Sequence, residues 1–273
     1  MNMSIIPCID IERMVSDRRT QAERMRFFDA EIWLGRPAGF PCAPEITVEE
    51  IPQLLQERYL TGGLVSHWRS ATYSAQEANQ ALLDAMANAG ENLYAIWTGL
   101  PLFPQEDGPL PGVGELPEIV RAVRIFPKAH KFPMTEWCIG SLCEWLIDRK
   151  LPLFIQHTEM DWPSLYQLAR AFPALTIVVE SQVQKILYHT RALFPLMRDC
   201  RNVLVELSNF AGQGFVEYAV REFGPERLIF GSFLPVSDPL VPIGMVLDSE
   251  ISDADRKLIA GDNLRRLIGE GRT

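Results

Sequence analysis

Eight short apolar runs recur along the chain at nearly even intervals, and this rhythm constrains the fold more than any single motif. They are Phe27–Ile32, Gly63–Ser66, Leu93–Trp97, Ala122–Phe126, Leu153–Gln156, Thr176–Val179, Val203–Leu207 and Leu228–Phe230. Successive starts lie 23 to 36 residues apart. A strand, its connection and a returning helix in a parallel sheet occupy roughly 30 residues. The run Thr176-Ile177-Val178-Val179 shows no polar alternation, as expected of a strand covered on both faces. Helical periodicity fills most gaps: 74–89, 135–148 behind a cap at Thr135, a helix capped by Asp161 and running to Phe172, then 185–197, 214–223 and 253–267. The reading is an α/β chain folded as a single (β/α)8 TIM barrel over residues 27–273, with residues 1–26 as a short N-terminal extension. A doubly wound open sheet is the rival. No Gly-x-Gly-x-x-Gly or Walker-type phosphate turn follows any run, which weighs against it.

Charge narrows the partners. The chain has 26 Lys and Arg against 35 Asp and Glu, for a net charge of −9. That is a poor match for nucleic acid, which needs clustered basic residues, and for an anionic membrane surface. No apolar run reaches the roughly 18 residues that span a bilayer, and the N-terminal stretch lacks the pattern of a secretory signal. Five cysteines with no Cys-x-x-Cys pair speak against a disulfide framework or a cysteine-rich zinc site, so reduced thiols in a cytoplasmic setting are expected. The loop 35–44 holds three prolines, and the loop 99–117 holds five prolines and four glycines. Loops of that length act as lids or binding loops, or are plain surface insertions.

Several segments taken in order resemble the amidohydrolase-related family of metal-dependent hydrolases and decarboxylases. Phe27-Phe28-Asp29-Ala30-Glu31-Ile32-Trp33-Leu34-Gly35 is similar to that family's first strand, which usually reads Asp-x-His-x-His. Val123–Pro127, Pro152–Thr158, Pro173–Ser181 and Asn202–Ser208 resemble its fourth to seventh strands. Gly224–Pro235 resembles the eighth and Gly261–Leu267 the terminal helix. The resemblance implies a barrel with a divalent metal at its mouth, and here the departures begin. The first-strand histidines fall on Glu31 and Trp33. The sixth-strand histidine falls on Ser181, or on Glu180 if the register slips by one. The eighth-strand aspartate falls on Phe233. Only His157 keeps its family identity. Indole and phenyl rings cannot ligate such a cation, so no metal and no cofactor are expected. A new metal arrangement of Glu31, His157 and Glu180 has suitable residue types but no short-range ligand spacing.

The candidate site is therefore built from other chemistry. His157 closes the fifth strand and suits proton transfer at neutral pH, or else is a leftover ligand bonded in the core. Glu31 is a second catalytic candidate, as a base or a substrate-hydroxyl acceptor; the alternative is an ion pair with Arg124. Substrate-binding candidates are Arg124, Trp33, His67, Ser181, Ser208 and Phe233. Arg124, with Lys128 nearby, can clamp a carboxylate or phosphate. Glu206, Ser208 and Asn209 offer polar contacts, and Trp33, Trp68, Trp97 and Phe233 offer rings near the strand tops. His130 and His189 receive no role. No Gly-x-Ser-x-Gly elbow is present. Two functions follow. One is a hydrolase or decarboxylase of a small organic acid, ester or lactone working without the metal cage. The other is a non-catalytic barrel that binds a ligand or partner. The expected partner is a small, often anionic molecule. A homo-oligomer is also considered, through the helix around Trp137 and Trp145.

Overall fold

The computed structural model describes residues 10–270 apart from 73, 88, 102–115 and 183. Eight parallel strands form one sheet in sequence order: β1 Phe27–Leu34, β2 Leu60–His67, β3 Leu93–Thr98, β4 Val120–Ile125, β5 Leu153–Gln156, β6 Ile177–Glu180, β7 Val203–Glu206 and β8 Leu228–Ile229. The chain past β8 closes the ring on β1: the Ala30 amide donates to the Phe230 carbonyl (3.0 Å) and the Trp33 amide to the Leu234 carbonyl (2.9 Å). The expected TIM barrel is the fold. Strands β2 and β4 start earlier than their apolar runs, at the buried Leu60 and Val120, because the ladder extends past residues such as Gly62 and Arg121 that interrupt the apolar pattern.

The helices are α1 Ile11–Met25, α2 Ile51–Glu57, α3 Arg69–Thr72, α4 Ala75–Met86, α5 Glu136–Arg149, α6 Trp162–Ala171, α7 Thr190–Asp199, α8 Phe215–Phe223, α9 Leu240–Asp248, α10 Asp253–Lys257 and α11 Asn263–Leu267. Asp161 caps α6 as expected, accepting from the Ser164 amide (2.9 Å). The helix expected at 185–197 is split into a 3₁₀ turn, Ile186–His189, and α7. That expected at 253–267 is interrupted by a π turn, Leu258–Asp262. The segment 1–26 includes α1, whose Ala22 and Met25 are buried. Residues 102–115 of the long proline-rich loop lie outside the described residues. Trp137 on α5 is 80% exposed, while Trp145 is partly buried.

Two apolar layers follow from the strand period. One lies between sheet and helices. The other fills the barrel axis with Phe28, Ala30, Leu64, Ile96, Ala122, Phe154, Val178 and Ile229, and Leu264 and Ile268 pack against it. Trp97 belongs to the outer layer. It therefore does not line the mouth, because Ile96 takes the inward position beside it. Much of the family-like sequence ties the scaffold together. The buried Arg227 guanidinium donates to the carbonyls of Met197 (3.1 Å) and Cys200 (2.9 Å). Asn263 donates to the carbonyls of Pro225 (2.8 Å) and Leu228 (2.9 Å).

Candidate functional site

Two residues further along the strands, the inward layer turns polar. It comprises Ser66 of β2, Arg124 of β4, Gln156 of β5, Glu180 of β6 and Glu206 of β7, all buried. Strand β1 adds Glu31. Register shifts on both sides of Asp29 break its alternation, and Glu31 feels the charges of Glu180, Glu206 and Arg124.

Arg124 is the hub. Its Nε donates to Glu180 Oε1 (3.0 Å) and Oε2 (2.9 Å). Its two terminal nitrogens donate to Glu180 Oε1 and to Ser66 Oγ. The guanidinium carbon lies 4.4 Å from the centre of the Trp33 ring. The same indole donates from Nε1 to Glu31 Oε1 (3.1 Å). The pairing weighed for Glu31 with Arg124 goes to Glu180, whose carboxylate meets the fork with both oxygens. Glu31 Oε2 is buried without a hydrogen-bond partner among the described residues.

Glu206 is held differently. Its Oε1 accepts from the Ser208 amide. Its Oε2 accepts from the Ser181 amide (3.1 Å), Ser181 Oγ (3.3 Å) and Ser208 Oγ (2.9 Å). The Asn209 amide donates to Ser181 Oγ (2.8 Å). The two serines expected to meet substrate are thus brought together around a buried acid. Gly231 makes room for it, since a Cβ there would fall 2.2 Å from Glu206 Oε1.

Burial dominates the proton affinities here, as it penalises a carboxylate more than its neutral acid. It raises Glu31 well above the usual carboxylate range, helped by Glu180 and Glu206 and opposed by Arg124 and Trp33. Burial also pushes Glu206 up to about 8, with the Ser181 amide opposing and Glu180 adding to the rise. Burial raises Glu180 too, against the charge and hydrogen bonds of Arg124. Glu31 and Glu206 therefore release their protons at higher pH than an exposed carboxyl does.

His157 follows β5. Its Nδ1 lies 3.1 Å from the Glu180 carbonyl oxygen, which can only accept, so Nδ1 carries the hydrogen. In the neutral ring Nε2 then bears the lone pair, and this atom is buried with no hydrogen-bond partner among the described residues. Burial lowers the basicity of His157, the Glu180 carbonyl opposes this, and His189 and Lys128 lower it further. His189, given no role from sequence, lies with its ring 5.4 Å from that of His157 and accepts from Trp162 Nε1 (3.3 Å). Lys128 donates to the Thr158 carbonyl.

Aromatic rings overlie the polar layer. Trp33, Trp68, Phe126 and Phe233 form one buried cluster. Trp33 stacks on Trp68 at 4.7 Å between ring centres, and Phe233 meets the Trp33 ring edge-on at 6.5 Å. Phe233 is left-handed, with φ of 61°, a strained state for a bulky residue that the flanking bonds to β1 hold in place. His67 is not part of this centre. It lines a separate cleft of about 790 Å³ at the mouth, with Arg36, Glu45, Trp68, Arg69 and Glu77. His67 Nδ1 accepts from the Arg69 amide (3.1 Å).

Sequence reading missed Ser66 and the clasp between Asp29 and Ser232. Asp29 Oδ1 accepts from the amides of Glu31 and Ser232 (both 2.9 Å), and Oδ2 from the Ser232 hydroxyl. Asp29 is pushed up to about 6 by burial, against these bonds. Gly231 was the one available signal, a glycine where the strand pattern calls for an inward side chain.

The donor set does not fit the divalent metal that the resemblance implies. Both Glu180 oxygens serve Arg124, those of Glu206 serve Ser181 and Ser208, and Trp33, Ser181 and Phe233 stand at three of the ligand positions, which leaves only Glu31 and His157. No group of three His, Cys, Asp or Glu side chains arranged to hold a metal exists among the described residues.

Solved structures share this barrel. An amidohydrolase from Burkholderia multivorans with bound zinc is 15% identical, with 89% of this chain and 99% of that chain covered and a TM-score of 0.68. The dihydroxybenzoic acid decarboxylase of Polaromonas, with bound manganese and 2-nitroresorcinol, is 14% identical, with 90% and 98% covered and a TM-score of 0.68. The 5-carboxyvanillate decarboxylase of Sphingomonas paucimobilis is 12% identical, with 90% and 99% covered and a TM-score of 0.66. At these identities the likeness establishes the fold alone. No curated protein matches by sequence. The amidohydrolase family model Amidohydro_2 matches residues 30–269, and the chain belongs to that family.

Proposed function

We propose that this chain binds a small organic acid, ester or lactone at the mouth of its barrel and works without a divalent-metal cage. The observation that carries this is the Arg124–Glu180 pair beneath the Trp33 face, which takes both Glu180 oxygens out of reach of a metal. The cleft of about 790 Å³ beside Trp68 supplies an apolar wall, and Arg36 and Arg69 supply cationic groups for an anionic ligand. Arg124 then organises the floor, and the anion-binding role assigned to it from sequence passes to these two arginines. Solved neighbours that act on dihydroxybenzoic acid and 5-carboxyvanillate make small aromatic carboxylates the first ligands to try. No helix among the described residues is long and apolar enough to cross a membrane. Free cysteines at 42, 138, 143 and 200 suit a reducing, cytoplasmic setting.

A second reading is catalytic, and His157 favours it. A neutral imidazole with a buried, unpartnered Nε2 lone pair is a base awaiting a proton, with the Glu31 acid as its assistant. One experiment separates the readings. A panel of aromatic carboxylates, esters and lactones is screened for thermal stabilisation and turnover with wild type, Arg69→Ala and His157→Ala. Stabilisation lost in Arg69→Ala supports cleft binding. Turnover lost in His157→Ala supports catalysis. Stabilisation unchanged in Arg69→Ala refutes the cleft as the site.

A further inference from the structure

The polar centre of this barrel carries its own positive charge. We propose that the Arg124 guanidinium is the resident cation of the barrel, taking in charge terms the role of the divalent ion that the family resemblance implies, so that the carboxylate centre assembles without metal. This rests on the metal-independent reading above and gives it a physical cause.

The surroundings of Arg124 are matched to a guanidinium and mismatched to a metal. A planar, permanently charged fork fits a carboxylate with two parallel donors and is less strongly hydrated than an ammonium, so it tolerates burial. Arg124 meets Glu180 this way, with Nε on Oε2 (2.9 Å) and a terminal nitrogen on Oε1, and gives a further hydrogen to Ser66. Trp33 occupies a position where the family pattern has histidine. An imidazole there would offer a lone pair. The indole instead offers a π face to Arg124, 4.4 Å from its guanidinium carbon, and an N–H to Glu31. One residue change thus replaces a metal ligand with a group that binds both a guanidinium and an acid. Burial favours the neutral acid at Glu31 and Glu206, while the Arg124 fork favours the charged form of Glu180, so the ion pair forms there. A buried pair of this kind is costly to halve and cheap to remove whole, because the penalty lies in the stranded charge.

The test uses the full chain dialysed against EDTA. Metal uptake is measured by equilibrium dialysis against Zn²⁺ or Mn²⁺ with elemental analysis, and thermal unfolding is followed for wild type, Arg124→Met, Glu180→Gln and the double variant. The wild-type midpoint should be unmoved by EDTA, Zn²⁺ or Mn²⁺. Each single variant should melt well below wild type, and the double variant should regain most of that loss. Arg124→Lys keeps the charge without the fork and should melt between wild type and Arg124→Met, which preserves the test if the methionine variant does not fold. Three results would overturn the proposal: wild type retaining about one equivalent of metal that Glu31→Gln abolishes, a double variant as unstable as the two single losses added together, or Arg124→Lys no more stable than Arg124→Met. Ligand binding is read separately through Arg69→Ala, so failure of the cleft reading leaves these outcomes standing, and failure here leaves the cleft reading standing.

Discussion

Replacing Glu206 by glutamine removes one proton-binding group from the barrel centre, and the consequence for stability can be worked from its surroundings. Burial pushes Glu206 from 4.5 up to about 8. Between those values the folded protein holds a proton that the unfolded chain has released. Stability therefore falls as pH rises, by about 1.4 kcal/mol per pH unit. The useful window is pH 6.5 to 8. Below it, burial keeps His157, His67 and His130 less basic than in the unfolded chain, and their stabilities move in the opposite direction. Above it, cysteines of the unfolded chain ionise while buried Cys143, pushed up to about 12, does not. Asp29, at about 6, has largely completed its change. Glu31 adds to the wild-type slope and stays in the variant. The difference between the two proteins should thus change by about 2 kcal/mol from pH 6.5 to 8, in favour of Glu206→Gln. Urea unfolding followed by tryptophan fluorescence at four pH values measures this, provided the denaturant slopes agree. The lost acceptor facing the Ser181 or Ser208 amide costs about 1 kcal/mol and does not vary with pH. A constant gap across the window would refute the reasoning.

Other substitutions probe other parts of the centre. Gly231→Ala sets a methyl group 2.2 Å from Glu206 Oε1 and should cost about 3 kcal/mol in denaturant unfolding. Ser232→Ala removes a hydroxyl from Asp29 at the β1–β8 seam and should cost about 2 kcal/mol by the same measurement. Trp33→Leu deletes the face over Arg124 and the donor to Glu31, and a fall of about 3 kcal/mol is expected. Nitrogen-15 NMR of the His157 ring should report a neutral Nδ1–H tautomer from pH 6.5 to 8, since burial lowers its basicity; a protonated ring at pH 7 would contradict the geometry.

The barrel was legible in the sequence because strands buried on both faces must be continuously apolar, and eight such runs at that spacing leave few architectures. That rings stand at two positions where the resemblance places ligands was legible too, because Trp33 and Phe233 are unsuited to ligation in any register. The partner of Arg124 was not. Strand period says which residues of one strand face inward, but which inward residues of different strands share a layer depends on the stagger with which the barrel closes. That stagger put Glu180, 56 residues away, into the Arg124 fork, and a shift in β1 turned Glu31 toward the axis beside Trp33. It also brought Asp29 to Ser232 across 203 residues. Local pattern determined the scaffold, while the pairing of charges inside it was decided by closure of the sheet, because contacts across a barrel belong to the ring of strands and to no one of them.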